Sequence, residues 1–248
     1  MEWFINNHEA YRSLGLILAA VIGLPLAIWR SFIAQQQARS AEEQARIAAE
    51  NHLAETYTKA IDQIGNEKEA IQLGGLYALE KIVYSNSEYH SQIMEVLCAF
   101  VRLHASLSIK NGNEGESVEE KNFQLPKEII QTALTIIGRR NKNFWDISFG
   151  GKPIFEIDLK SLDLRKVNLK GANLSGSNFE GANLGGANLT DVNLRYANLI
   201  EANLEDADIK GGDFNEAIID IKQIQPAKIY RSTKLPRKID EKRLTFED

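Results

Sequence analysis

Hydrophobic positions follow three rhythms along the chain, and the first is an unbroken run. Leu14 to Trp29 (LGLILAAVIGLPLAIW) holds no charge, and the uncharged stretch reads back to Ser13. The 22 positions from Ser13 to Ala34, with Arg30 near the end, make roughly 33 Å of helix, enough for a hydrocarbon core about 30 Å thick. Arg30 can snorkel to the headgroups, and Trp3, Tyr11 and Trp29 suit the interface. No convincing Ala-x-Ala site comes after it, so an uncleaved transmembrane helix is expected in preference to a signal peptide or a buried soluble helix. Arg12 alone precedes the span while Arg30, Arg39 and Arg46 follow it, which predicts an outside N-terminus and a cytoplasmic remainder in the cell (inner) membrane. Gly15, Ala19, Gly23 and Ala27 form a small-residue stripe on one helix face. Such a stripe permits close packing with a second copy or a partner span.

The second rhythm is helical. Ala34 to Ile64 is rich in Ala, Gln and Glu and lacks Gly and Pro, which predicts a stalk helix continuing the span. Its small apolar positions keep a heptad poorly, against a long coiled coil. Gly65-Asn66 ends it. Leu73, Leu76, Leu79 (or Ala78) and Ile82 then share one side of a second helix, where Gly74 and Gly75 permit close packing. A turn at Ser85 to His90 leads to a third helix, Gln92 to His104, with Ile93, Val96, Leu97, Phe100 and Val101 on its apolar face and Cys98 expected inside. These three predict a small bundle. Ser106 to Gln124 is polar and turn-rich, a linker. Pro126 opens a further helix whose apolar face is Ile129, Ile130, Ala133, Leu134, Ile136 and Ile137, docking on the bundle or capping the C-terminal part of the chain.

The third rhythm has a period of five. Large apolar residues occupy every fifth position from Leu159 to Ile219, thirteen units in one register. A small or apolar residue stands two places earlier, and Asn or Asp immediately before in nearly every unit from Asp158 to Asp213. On an α-helix a step of five would scatter these side chains around the axis, and on a straight strand it would alternate them between faces. A single inward column therefore requires the chain to turn once per unit, which is a solenoid.

Units such as Ala172-Asn173-Leu174-Ser175-Gly176 and Ala202-Asn203-Leu204-Glu205-Asp206 resemble those of the pentapeptide-repeat family. The resemblance implies a right-handed quadrilateral β-helix, one unit per side and four per coil, so that residues twenty apart stack. Thr58-Lys59-Ala60-Ile61, the Leu73 to Ile82 and Met94 to Arg102 segments, Ile136 to Arg140 and the Thr233-Lys234-Leu235-Pro236 ending are similar to a membrane-anchored bacterial arrangement of that family. The expected divisions are a tail and transmembrane helix (1–34), stalk and bundle (35–105), linker (106–124), helix and connector (125–150), β-helix (151–221) and a basic C-terminal cap or tail (222–248).

Composition narrows the function. With 248 residues, 44% hydrophobic and 25% charged, the chain is neither disordered throughout nor multi-spanning. A net charge of −5 argues against a general nucleic-acid binder. The lone Cys98 excludes an internal disulfide framework or a multi-cysteine zinc site. His8, His52, His90 and His104 lack metal-ligand spacing, and neither a P-loop nor a nucleophile elbow occurs. No catalytic residue, metal or cofactor is therefore expected. The solenoid carries basic residues early (Lys160, Arg165, Lys166, Lys170) and acidic ones late (Glu201, Glu205, Asp206, Asp208, Asp213, Glu216). Tyr196 and Ile200 stand at outward positions and are the expected partner contacts. The reading is a non-enzymatic, membrane-anchored protein-interaction or scaffold module. Its alternatives are a subunit of a membrane signalling or defence system, and the DNA mimicry of topoisomerases known for this fold, which the basic first coil and the anchor oppose.

Overall fold

A computed structural model describes residues 8–105, 128–139 and 157–247; the expected linker at 106–124, the connector from 140 to 150 and Trp3 lie outside these. Two compact units divide between Thr56 and Tyr57. The first unit is the main part of one helix, α1 (His8–Ile64), 57 residues long, which runs through Pro25. The span and the stalk expected from the sequence are thus a single element. From Leu16 to Phe32 its large apolar side chains stand between 49% and 71% exposed where described. Among the described residues this is the one helix long and apolar enough to cross a membrane. Beyond that stretch the surface turns polar, and Arg46 bridges Glu43 and Glu50 along the helix face.

In the second unit α2 (Glu69–Ser85), α3 (His90–Ala105) and α4 (Glu128–Gly138) pack on one another, and the end of α1 meets α2. Leu76, Leu79, Ile93, Met94, Leu97, Cys98, Val101, Leu134 and Ile137 fill the shared core. Gly75 sets the approach of α2 to α1, because a Cβ there would lie 2.8 Å from the Ala60 carbonyl; Gly74 faces open space.

Residues 157–219 wind into a solenoid. Parallel bridges join residues twenty apart, Asp158 to Asn178, Asp163 to Asn183, Asn168 to Asn188 and Asn173 to Asn193, so four units complete each coil. The central Leu, Phe and Ile side chains are all buried, Phe179 and Phe214 completely. Each contributes about 1.5–3 kcal/mol through burial. No extended strand forms among the described residues, only single bridges. The reason is geometric: after each inward residue the chain turns a corner, and the second corner residue takes a left-handed φ between 54° and 68°. Five of these twelve corner residues are glycine. At Gly171 an added Cβ would meet nothing within 4 Å, so glycine serves the backbone alone there.

Both ends of the solenoid are covered, the far end only in part. At the start, the last carbonyls of two helices meet the amides of the first coil. Asp163 N–H donates to Ala105 of α3 (2.7 Å) and Asn173 N–H to Gly138 of α4 (2.8 Å). The Gln131 side chain accepts from Asn168 N–H (2.9 Å) and donates to the Asn168 carbonyl (2.8 Å). A helix C-terminus has orphan acceptors and a first coil has orphan donors, so each end satisfies the other. At the far end the tail adds two degenerate units, Ala227-Lys228-Ile229 and Thr233-Lys234-Leu235, paired with Asp208 and Asp213.

Candidate interaction groove

The Asn or Asp before each inward residue has a local task. Its Oδ1 accepts the N–H of the residue two places on, from Lys160 N–H on Asp158 (3.3 Å) to Asn215 N–H on Asp213 (3.1 Å). The same side chains also stack between coils, as Asn193 Nδ2 on Asn173 Oδ1 (3.0 Å). This is an Asx turn repeated down the solenoid, and it explains why the position tolerates little else. Ile218 is the exception among the thirteen units. The amide it leaves uncapped, Asp220 N–H, is taken by Gln223 Oε1 at 2.9 Å. Gln223 thereby releases position 218 from its usual duty, and the isoleucine side chain stands 50% exposed.

Ile200 is the second departure. The position after each inward residue is elsewhere polar or glycine, yet here it is an isoleucine, 43% exposed. Asn198 and Ile218 form a bridge, so both departures fall on one side of the solenoid in neighbouring coils. They border a groove of about 640 Å³. Its apolar lining is completed by Ile219, Ile221 and Ile239. One wall is the short helix α5 (Ile221–Ile224), and another is the tail from Lys238 to Arg243.

Six charged side chains line the groove: Glu201, Asp220 and Asp240 against Lys222, Lys238 and Arg243. The formal charges balance, but their commitments differ. Asp220 caps α5 by accepting Lys222 N–H (3.1 Å), and Asp240 caps the 3-10 turn after it by accepting Lys242 N–H (3.2 Å). Among the described residues the three cations make no ion pair. The lining is aliphatic and charged, a surface suited to binding.

Of the residues expected from the sequence, Ile200 borders the groove and Tyr196 does not. Tyr196 is a corner residue with φ 60°, half-buried, with the Arg195 guanidinium 5.6 Å from its ring. Gly15 and Gly23 of the α1 stripe have nothing within 4 Å of an added Cβ, Ala27 is exposed, and the Ala19 side chain lies outside the described residues. Ile218 was visible as a broken Asn/Asp position. Lys222, Lys238 and Arg243 carried no periodic signal at all.

Comparison with known proteins gives a consistent outline. The family described as pentapeptide repeats matches residues 155–191 and 187–220, with eight copies. No curated protein matches the chain. Similar solved structures include QnrB1, a plasmid-mediated fluoroquinolone resistance protein, at 19% identity, covering 32% of this chain and 37% of that one with a TM-score of 0.28. A pentapeptide repeat protein of the Arabidopsis thaliana thylakoid lumen is 20% identical, covering 41% and 80% with a TM-score of 0.22. One from Nostoc Pcc 7120 is 29% identical, covering 37% and 84% with a TM-score of 0.24. The chain thus spans little more than a third of the length of QnrB1.

Proposed function

With pentapeptide repeats carried on residues 155–220, we propose that this chain is a non-enzymatic interaction module held at a membrane by α1. Pentapeptide-repeat proteins act typically through protein contacts, and the groove beside Ile200 and Ile218 is the contact surface, with Tyr196 on the neighbouring side as a secondary contact. The observation that carries the reading is the exposed apolar stretch of α1: side chains from Leu16 to Phe32 that no described residue covers. Lipid removes that surface from water, and anchoring confines the groove to partners at the same membrane, raising their effective concentration. The flanking arginines favour an outside N-terminus and a cytoplasmic repeat domain. DNA mimicry is not adopted, since Lys160, Lys166 and Lys170 are exposed on the first coil and break up an acidic surface.

Three measurements test this. The full chain is expected to stay with membranes through alkaline carbonate extraction, and a C-terminal alkaline phosphatase fusion is expected to be inactive in a bacterial host. A photoreactive residue at position 200 or 218 should crosslink a defined protein in cells, while one at Lys170, exposed on the opposite side, should not. Carbonate release, or equal crosslinking from Lys170, would overturn the reading.

A further inference from the structure

On two sides of the last coil the hydrogen-bond ladder runs on into the tail. Ile209 N–H donates to Lys228 (3.3 Å) and Lys228 N–H to Ala207 (2.9 Å); Phe214 N–H donates to Lys234 (2.8 Å) and Lys234 N–H to Gly212 (2.9 Å). On the groove side the pattern stops. Ile239 stands twenty residues beyond Ile219 and is buried, yet Lys238 makes no bridge with Ile218. Among the described residues, Ile219 N–H and the Ala217 carbonyl have no hydrogen-bond partner. In every coil below, the equivalent pair is satisfied by the next coil, as Leu199 N–H is by Ile218 (2.9 Å). An unpaired ladder edge is a template for an added extended segment.

Three independent features therefore meet at one place: an open donor–acceptor pair, two isoleucines where the repeat dictates polar residues, and three cations without ion-pair partners. Resting on the reading of the domain as an interaction module, we propose that the groove takes an extended acidic–apolar segment of a partner protein. Its main chain pairs with Ile219 N–H and the Ala217 carbonyl. An aliphatic side chain lies on Ile200 and Ile218, and its neighbouring carboxylates meet Lys222, Lys238 and Arg243. Because successive side chains of an extended segment point to opposite faces, alternation of aliphatic and acidic residues suits a surface with an apolar floor and a cationic wall. The carboxylates of Asp220 and Asp240 are engaged by N-cap amides while the three cations have no ion-pair partner, so acidic side chains of the occupant find the cations uncommitted.

The test uses the full chain in detergent micelles and fluorescence anisotropy of a labelled short peptide alternating Ile with Glu. Binding should fall about tenfold or more when the peptide carries Lys for Glu, Ser for Ile, or N-methyl groups on its backbone amides. The same loss is expected from Lys222→Glu combined with Lys238→Glu, and from Ile218→Asn. The last variant restores the residue type of the other units, so it should fold with an unchanged or higher melting temperature. Equal binding of the Lys peptide, or undiminished binding by a folded Ile218→Asn, would overturn the proposal. Crosslinks from position 200 that persist while no peptide binds would reject this groove chemistry and leave the module standing. Peptide binding with no cellular crosslink would reject the module reading alone.

Discussion

Ser177 stands in an inward column whose later members are Ala197 and Ala217, and its hydroxyl is fully buried without a hydrogen-bond partner. A buried polar atom left unpaired costs about 1–3 kcal/mol, whereas a methyl group of the same size costs nothing there. Ser177→Ala should therefore stabilise the chain by about 1 kcal/mol, seen as a rise in thermal midpoint; a fall would mean that the hydroxyl has a partner. Asp163 is the contrasting residue, paired with Arg165 at 2.6 Å. The hydrogen bond from Arg165 holds its carboxyl below the ordinary value of 3.8, against an opposing contribution from burial. A folded value below the unfolded one gives stability that is fully present above the ordinary value and is lost as pH falls through the folded value. Asp163→Asn should thus be the less stable protein at neutral pH, and the gap should close below about pH 4, in parallel denaturant titrations. The pair is partly exposed, so the neutral-pH gap should be small.

At the scale of elements, the helices act as the missing coil beneath the repeats. α4 meets the bundle through Leu134 and Ile137, and the first coil through its terminal carbonyl and Gln131. Contact is close enough that a Cβ on Gly138 would fall 2.6 Å from the Cβ of Ala172. Arg102 adds a bond to the Asp158 carbonyl at 3.0 Å. Gln131→Ala should cost about 0.5–1.5 kcal/mol, because two hydrogen bonds to the exposed N–H and carbonyl of Asn168 are exchanged for water. Hydrogen exchange should localise the loss to the first coil; protection there unchanged from the parent would mean that α4 is only a neighbour. The sequence placed α4 on the bundle or over the repeats without deciding between them. The fold does both, since its apolar face and its polar terminus have different partners.

For the whole molecule, a stack of coils is stabilised by each coil's contact with the next, so its ends decide whether it stays single. The tail supplies that ending through Lys228, Lys234, the Thr233 hydroxyl on the Ile209 carbonyl and the Gln223 side chain on the Ala202 carbonyl. Removing residues 221–248 would uncover the ladder groups of the last coil. The truncated chain should associate in a concentration-dependent way by light scattering in detergent, where the full chain stays constant. Constant scattering from both would assign the ending to the repeats themselves.

Residue order alone was enough to specify the inward column and the corner every fifth residue, while the twenty-residue coil was what the resemblance to pentapeptide repeats implied. Residue order was also enough to show that α1 bears a stretch long and apolar enough for a membrane. Each of these is a local or periodic property: an Asx turn is closed within three residues, and a coil repeats its own contacts. What covers the coil ends, and which outward residues meet, emerged only in the folded chain. Ala105, Gln131 and Gly138 reach the first coil from non-repeating segments, and Lys238 and Arg243 come to Ile200 some forty residues away in the chain. No period links such partners, because a repeat specifies the packing of one unit on the next and not how an edge without a next unit is satisfied.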